Sequence, residues 1–205
     1  MPRDTTEAIN SYITDMLALE EHIEKALRGQ IEDLEKDYPD FVREIRTVHA
    51  TVENHISSLK LIAEEREAGA GKGVAEAVKR AGSAVLGVGA AAVDLVRSEK
   101  LPKNIRDDYT AASLATIGYV MLYTTGLSLG DTLVANLAHN HLQDYAKVTM
   151  TLHNIVPSAV ITLLQEDGLP ARQDVLSEVS QKIEAVWHQD SGVPSADEVT
   201  GGRRR

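Results

Sequence analysis

Acids and histidines interrupt apolar stripes at a few positions of this chain, and these residues could carry chemistry. Glu20 falls inside the apolar repeat of the first predicted helix, and Glu53 lies on or beside the stripe of the second. His141 and Asp144, three residues apart, share the inner face of a later helix. Carboxylate and imidazole groups that face one core can hold iron or manganese. These four residues are therefore candidate metal ligands.

A second interpretation of the same residues is purely structural. A lone carboxylate is costly to bury, so inward-facing acids are expected to be paired. Glu20, Glu53, His141 and Asp144 could form a hydrogen-bonded or salt-bridged polar layer that fixes the register of the helices, with His49 as a further member. The remaining histidines are expected on the surface or on helix flanks, without a role: His22, His55, His139 and His153.

Composition favours an all-α protein and excludes several functions. The chain has 205 residues, of which 43% are hydrophobic and only 4% aromatic, so many Ala, Leu, Ile and Val must fill the core. The net charge of −10 disfavours nucleic acid as a partner, because phosphate binding needs clustered Lys and Arg. The absence of cysteine excludes disulfides, thiol catalysis and cysteine-ligated metals, and is compatible with a reducing cytoplasm.

Apolar periodicity predicts helices over residues 5–34, 40–68, 106–131, 131–157 and 173–188. Pro39 should open the second helix, Asp131 should cap the fourth, and Pro157 should end or kink it. Leu101-Pro102-Lys103 is predicted to form a turn. The predicted inward residues of the third and fourth helices are Ala112, Ala115, Leu122, Leu129, Leu133, Leu137, Val148, Leu152 and Ile155, with Tyr109, Tyr119 and Tyr123 as packing residues.

The stretch between the two helix pairs, about 69–100, is rich in Ala and Gly and predicts a helical insert from Val74 to Arg97. Its longest uncharged run, Ala81–Val93, is too short to span a bilayer, which needs about 20 apolar residues. It could still dock on a membrane surface. We expect one domain over 1–189, and a disordered tail over 190–205 that ends in three arginines.

The segments MLALEEHIEKAL, VENHISSLKLI and RDDYTAASLATIGYVMLYTTGL resemble helices of the YciE/YciF stress-protein family, within the ferritin-like superfamily. The resemblance covers most of residues 15–168. It implies a four-helix bundle in which two helices each supply a Glu and two supply Glu-x-x-His to a pair of irons. It also implies a link to stress.

Matched position by position, the resemblance leaves the iron site incomplete. Glu20 matches the first-helix Glu of the family. The second-helix motif falls on Ala50–Glu53, where only the second ligand position is kept, and the third-helix acids fall on Gly118–Met121, which cannot bind a hard cation. An acidic cluster of the fourth helix matches Gln143 and Asp144. A standard di-iron oxidase is therefore not expected.

The sequence thus predicts a ferritin-like four-helix bundle with an Ala/Gly-rich helical insert and an extra C-terminal helix. The preferred function is a non-enzymatic helical interaction protein associated with stress, cytoplasmic and homodimeric. One alternative is a redox or storage protein with an altered iron or manganese site on Glu20, Glu53, His141 and Asp144, with His49 or Tyr119 nearby. Another is a membrane-peripheral protein that docks through 81–93.

Overall fold

The structure is a computed structural model that describes residues 4–70 and 100–188, and these residues are helical without any strand, so the predicted all-α class is confirmed. The predicted insert helix, the 81–93 segment and the tail at 190–205 lie outside the described residues. The described part of the chain forms five helices: α1 (Thr5–Leu34), α2 (Pro39–Ala70), α3 (Lys100–Leu129), α4 (Thr132–Glu166) and α5 (Val175–His188).

Each long helix buries a stripe with alternating spacings of three and four residues, the pattern of helices that pack side by side. The buried stripe of α2 follows this spacing and is formed by Val42, Ile45, Val48, Val52, His55, Leu59 and Ile62. The inward stripe of α3 is formed by Leu101, Ile105, Asp108, Ala112, Ala115, Tyr119, Leu122 and Gly126. Small residues on this stripe let neighbouring helices approach closely.

Pairs of contacting residues define the directions of the helices. Contacts of α1 with α2 join Glu20 to His55 and Asn10 to Arg66, so these two helices run antiparallel. Tyr119 and Asp108 of α3 contact positions 20 and 30 of α1, respectively, so α3 is antiparallel to α1. Helix α4 packs on α2 and α3, and α5 packs on α4.

The ends of the helices follow from these directions. Arg66 bonds to Asp131, which places the end of α2 beside the turn between α3 and α4. The start of α3 lies at the other end, where Asp108 meets Gln30. Ala70 and Lys100 therefore lie at opposite ends of the four long helices, a distance of roughly 45 Å for a 30-residue helix such as α3.

The turn between α3 and α4 uses two standard terminal motifs. Gly130 has a φ of 77°, which glycine adopts without strain, and it allows Asp131 N–H to donate to Gly126 C=O at 2.8 Å. Asp131 then caps α4, because its side chain accepts a hydrogen bond from Val134 N–H at 3.0 Å. The predicted capping role of Asp131 is confirmed.

Two local predictions are wrong. Residues 101–103 form the first turn of α3 rather than a separate turn, because the N–H that Pro102 lacks needs no partner there. Leu129 and Leu133 are exposed rather than inward, since Val134 and Ala135 take the buried positions at the start of α4.

Pro157 is predicted to end or kink α4, and the structure excludes the end. The helix continues to Glu166, with Leu152 and Ala159 buried on either side of the proline.

Two described helices are long and apolar enough to cross a membrane by length and composition alone. They span Leu101–Leu129 and Thr132–Glu166, each with a mean hydropathy of 1.2 over its most apolar window. Only 28% and 22% of these two windows are buried inside the protein. Much of the uncharged surface of α3 and α4 is therefore exposed.

Replacing Gly126 with Ala should destabilise the α3–α4 turn. A methyl group there would lie 2.8 Å from the backbone nitrogen of Ala135, which cannot move without shifting α4. We expect a loss of about 1–3 kcal/mol in the free energy of unfolding, measured by urea denaturation. Gly29→Ala is the matched control, because the new methyl group meets nothing within 4 Å and should stabilise α1 by about 0.5–1 kcal/mol. Equal effects of the two changes would contradict the close approach.

Candidate functional site

The centre of the four long helices holds a fully buried carboxylate, that of Glu20 on α1. Tyr119 on α3 donates its hydroxyl proton to Oε1 of Glu20 at 2.6 Å, and Tyr145 on α4 donates to Oε2 at 2.7 Å. Nδ1 of His55 on α2 lies 3.1 Å from Oε1. Each of the four long helices therefore contributes one side chain to this group, which we call the Glu20 layer.

The electrostatics of the Glu20 layer keep both phenols protonated. Burial raises the pKa of Tyr119 and of Tyr145 well above that of a free tyrosine, and the neighbouring Glu20 carboxylate raises both further. Both hydroxyls therefore remain donors toward Glu20. Hydrogen bonds from hydroxyl donors to a carboxylate are shorter and stronger than those between two neutral groups, so these two bonds hold the Glu20 side chain firmly.

A stacked pair of histidines lies against this layer. The rings of His55 and His141 are 3.9 Å apart at 18°, and Tyr119 meets the ring of His141 edge-on at 4.9 Å. Burial and the neighbouring His55 lower the pKa of His141 to about 3, so His141 is neutral. His55 Nε2 and His141 Nδ1 are buried without a hydrogen-bond partner among the described residues. These two nitrogens are the unsatisfied acceptors or donors of the centre.

Asp144 marks the edge of the centre. Its Oδ2 lies 3.5 Å from His55 Nε2, and its Oδ1 accepts a hydrogen bond from Lys147 at 3.0 Å. The Asp144 side chain is 42% exposed. Burial would raise the pKa of this carboxyl, but the hydrogen bond from Lys147 and the charges of the nearby Lys147 and His55 outweigh burial, and the pKa is lowered. The charge of Asp144 is thus balanced mainly by Lys147 and by solvent.

Glu53 belongs to a different group. Its Oε2 lies 3.4 Å from Nδ1 of His49, whose Nε2 contacts Oε1 of Glu24 at 3.0 Å. Oxygen and nitrogen atoms of Glu24, His49 and Glu53 lie within 4.8 Å of one another, a spacing that could hold a metal ion. Arg28 lies 3.5 Å from Glu24 and already balances part of the negative charge. This group lies between α1 and α2, near the surface.

The structure therefore divides the four predicted ligands. Glu20 and His141 both lie at the centre, where each contacts His55 and Tyr119. Asp144 reaches the edge of the centre, and Glu53 joins His49 outside. The prediction that His55 lies on the surface or a flank is wrong, since it is 2% exposed. The signal was present, because His55 follows Val52 by three residues and precedes Leu59 by four, as a core position should.

A second buried polar pair joins α1 to α3. Nε2 of Gln30 donates to Oδ1 of Asp108 at 2.7 Å, while Oε1 of Gln30 and Oδ2 of Asp108 are buried without a hydrogen-bond partner in the described part of the chain. Burial raises the pKa of Asp108 to about 7; Gln30 opposes this shift and Asp107 adds to it. A proton on Oδ2 would supply the donor that Gln30 Oε1 needs and close a two-bond acid–amide pair.

Comparison with known proteins gives a likeness in fold. No protein-family model matches the chain, and no curated protein matches it. The chain is similar to a protein of Xanthomonas campestris pv. campestris known from its crystal structure, with a TM-score of 0.62 and 18% identity over 80% of this chain and 99% of the other. At this identity the likeness shows a shared fold, and the description of that protein states no activity.

Removing either phenol hydroxyl should weaken the Glu20 layer. We expect Tyr119→Phe and Tyr145→Phe each to lower the free energy of unfolding by about 1.5–3 kcal/mol, because each leaves one oxygen of a buried carboxylate without its neutral donor. The double variant should lose more than the sum, since both hydroxyls serve one charge. Urea denaturation measures the cycle. Tyr123→Phe, outside this layer, should change stability by less than about 0.5 kcal/mol, and strictly additive losses would contradict the shared acceptor.

Asp108 should make stability depend on pH. Its pKa is about 7 in the folded chain and 3.8 for a free carboxyl, so between these values the folded state holds the proton that the unfolded state has released. Its contribution to stability is therefore largest below about pH 4. The contribution falls by up to about 4 kcal/mol as pH rises to about 7, and it is constant above that pH.

Asp108→Asn tests this assignment, because an amide keeps a donor toward Gln30 and cannot ionise. Urea denaturation of both proteins at pH 5 and pH 8 isolates the effect of this one residue, since the other titrating groups cancel in the difference. We expect the variant to gain stability relative to the native chain at pH 8 compared with pH 5. Parallel pH profiles of the two proteins would show that Asp108 is already ionised in the folded state.

Proposed function

We propose that this protein is a ferritin-like four-helix bundle in which a hydrogen-bonded layer replaces the di-iron centre, and that it acts as a helical interaction protein. The observation that carries this proposal is the pair of tyrosine hydroxyls on the two oxygens of Glu20, at 2.6 and 2.7 Å. The association with stress, the homodimeric state and a cytoplasmic location rest on the resemblance and composition of the sequence. This role requires no catalytic residue.

The directions of the helices support the ferritin-like part of the proposal. Two antiparallel pairs, α1 with α2 and α3 with α4, pack against each other, and Ala70 and Lys100 lie at opposite ends. Ferritin-like folds are distinguished among four-helix bundles by one long connection that crosses between the ends. The insert between α2 and α3 has the position that such a connection takes. The fold shared with the Xanthomonas protein leaves that assignment open.

The residues at the centre do not fit a pair of bridged irons. Such a site needs carboxylates on several helices, free to bridge two cations. Here Val52 stands three residues before His55, where a Glu-x-x-His motif would place its acid, and Tyr119 and Tyr145 face Glu20 from the other two helices. Phenol hydroxyls occupy both oxygens of Glu20, so we derive no iron chemistry at this position.

A metal-binding function is the second candidate, and one observation favours it away from the centre. Glu24, His49 and Glu53 bring ligand atoms within 4.8 Å across two adjacent helices. Both nitrogens of His49 already contact the two carboxylates, which is also the geometry of an ion-paired surface bridge. A metal bound here would have protein ligands from α1 and α2 and would leave the Glu20 layer undisturbed.

Metal retention separates the two candidates. Purified protein would be incubated with ferrous iron or manganese, aerobically and anaerobically, then desalted and measured by elemental analysis. We expect no retained metal that depends on Glu20, because its lone pairs are engaged by Tyr119 and Tyr145. Glu20→Gln keeps the side-chain shape, and Glu53→Gln is the matched change in the outer group.

Each pattern of retention has one meaning. Near-stoichiometric metal that is lost in Glu20→Gln but kept in Glu53→Gln would overturn the proposed replacement of the centre. Metal lost in Glu53→Gln alone would establish the second candidate. If neither substitution changes the amount of retained metal, the Glu20 layer is a structural group. This is the result that we expect.

A further inference from the structure

Helix α3 has a second stripe of residues that faces away from its own bundle. Between Asp108 and Asp131 it carries no charged residue, which is more than five turns of helix. Its outward positions repeat with spacings of four and three, the heptad spacing of helices that pack against a partner. We call these residues the α3 outer stripe: Thr110, Leu114, Ile117, Met121, Thr124 and Ser128, flanked by Val120 and Leu127.

The apolar members of the outer stripe are large and exposed. Leu114 is 60% exposed, Ile117 59%, Leu127 57% and Met121 47%. A single exposed leucine is ordinary, but contiguous exposure of this kind marks an interaction surface. With Val120, these side chains expose on the order of 500 Å² of apolar area, which is within the range of the largest patch on typical monomers.

We propose that the outer stripe of α3 binds the same stripe of a second copy, antiparallel, with the two-fold axis beside Val120 and Met121. The exposed apolar side chains of the outer stripe and its flanks run from Leu114 to Leu127, and their midpoint lies between Val120 and Met121, so an axis there covers the patch in both copies. Leu114 then faces Leu127 of the other copy. This assignment rests on the proposed function, which includes a homodimer, and it identifies the interface of that homodimer.

Charge and area favour a second copy as the occupant. No charged residue lies between 109 and 130, so an antiparallel partner brings no like charges together along the outer stripe. The two copies together would bury about 1,000 Å², which is the lower limit for a specific interface. A membrane is less suitable, because the chain carries a net charge of −10 and the stripe has no lysine or arginine beside it between 109 and 130.

The first test is the mass of the full-length protein in solution, by size-exclusion chromatography with light scattering at several concentrations. We expect a dimer for the native chain and a monomer for Met121→Asp, with the dissociation constant of the dimer raised at least a hundredfold, because two carboxylates would meet at the axis. The control is Leu61→Asp, at a residue of α2 that is 58% exposed and lies outside the stripe. Circular dichroism and urea denaturation verify that both variants fold.

Single cysteines give a second test, because the native chain has none. Met121→Cys should form a disulfide with itself under mild oxidation, since residues at a two-fold axis come close enough to bond. Leu114→Cys should not, because antiparallel packing separates the two copies of this residue by roughly 20 Å along the helix. Leu61→Cys is the control for random collision.

Several results would overturn the interface. A native monomer that binds phosphatidylcholine or phosphatidylglycerol vesicles, with binding lost in Met121→Asp, would assign the stripe to a membrane. A native monomer that binds neither kind of vesicle and is destabilised by Met121→Asp would show that the chain covers the stripe itself. Self-linking at Leu114 would exclude the antiparallel order, and a dimer unaffected by Met121→Asp would place the contact elsewhere. None of these results bears on the Glu20 layer, whose metal test stands separately.

Discussion

The rest of this structure depends on one constraint, the need to satisfy a carboxylate that is fully buried at the centre of four helices. Glu20 takes its donors from residues 35, 99 and 125 positions away along the chain. Bonds of 2.6–2.7 Å to both oxygens tolerate little sliding or rotation of α3 and α4 against α1. Loss of this register would leave a buried charge unpaired, which costs several kcal/mol. The apolar stripes bring the helices together, and the carboxylate selects one arrangement of them.

Two further polar contacts fix the same register at the ends. Asp108 meets Gln30 near the start of α3, and Asp131 meets Arg66 beyond its end, while Tyr119 lies between them. The contacts of Asp108 and Tyr119 join α3 to α1, and the contact of Asp131 joins the turn after α3 to α2. Apolar side chains can slip by one turn at small cost, since a leucine packs almost as well against the next leucine. Polar pairs lose their hydrogen bonds on such a slip, so these three pairs together define the position of α3.

Much of the helical architecture could be predicted from spacing alone. The bounds of α1, Thr5–Leu34, were predicted to the residue, and the capping role of Asp131 followed from its type and position. The prolines were harder, because their effect depends on context: Pro102 lies where its missing N–H costs nothing, and Pro157 is held by packing on both sides. Local rules state what a proline costs, and the tertiary structure decides whether that cost is overcome.

The centre is harder to predict, because residue type and residue position point to different places. A histidine is typical of the surface, but the spacing of His55 from Val52 and Leu59 is that of a core residue. An acid beside an apolar stripe is a candidate ligand, but Glu53 lies one position off that stripe and joins His49 outside. Tyr145 lacked any expected role and holds one oxygen of Glu20. Position on the stripe identifies which polar residues meet, and only the fold shows which of them become partners.

The distribution of side-chain size around α3 supports two packing faces. Its inner stripe mixes Ala112, Ala115 and Gly126 with larger side chains, and its outer stripe carries Leu114, Ile117 and Met121 among threonines and a serine. A helix that packs on one side only should bury its large apolar side chains and expose polar ones. Here small residues take inward positions, where α1 and α4 approach closely, while three large apolar side chains remain outside. Such exposure is costly in water for an isolated protein, and it is expected if the outer stripe is itself a contact surface.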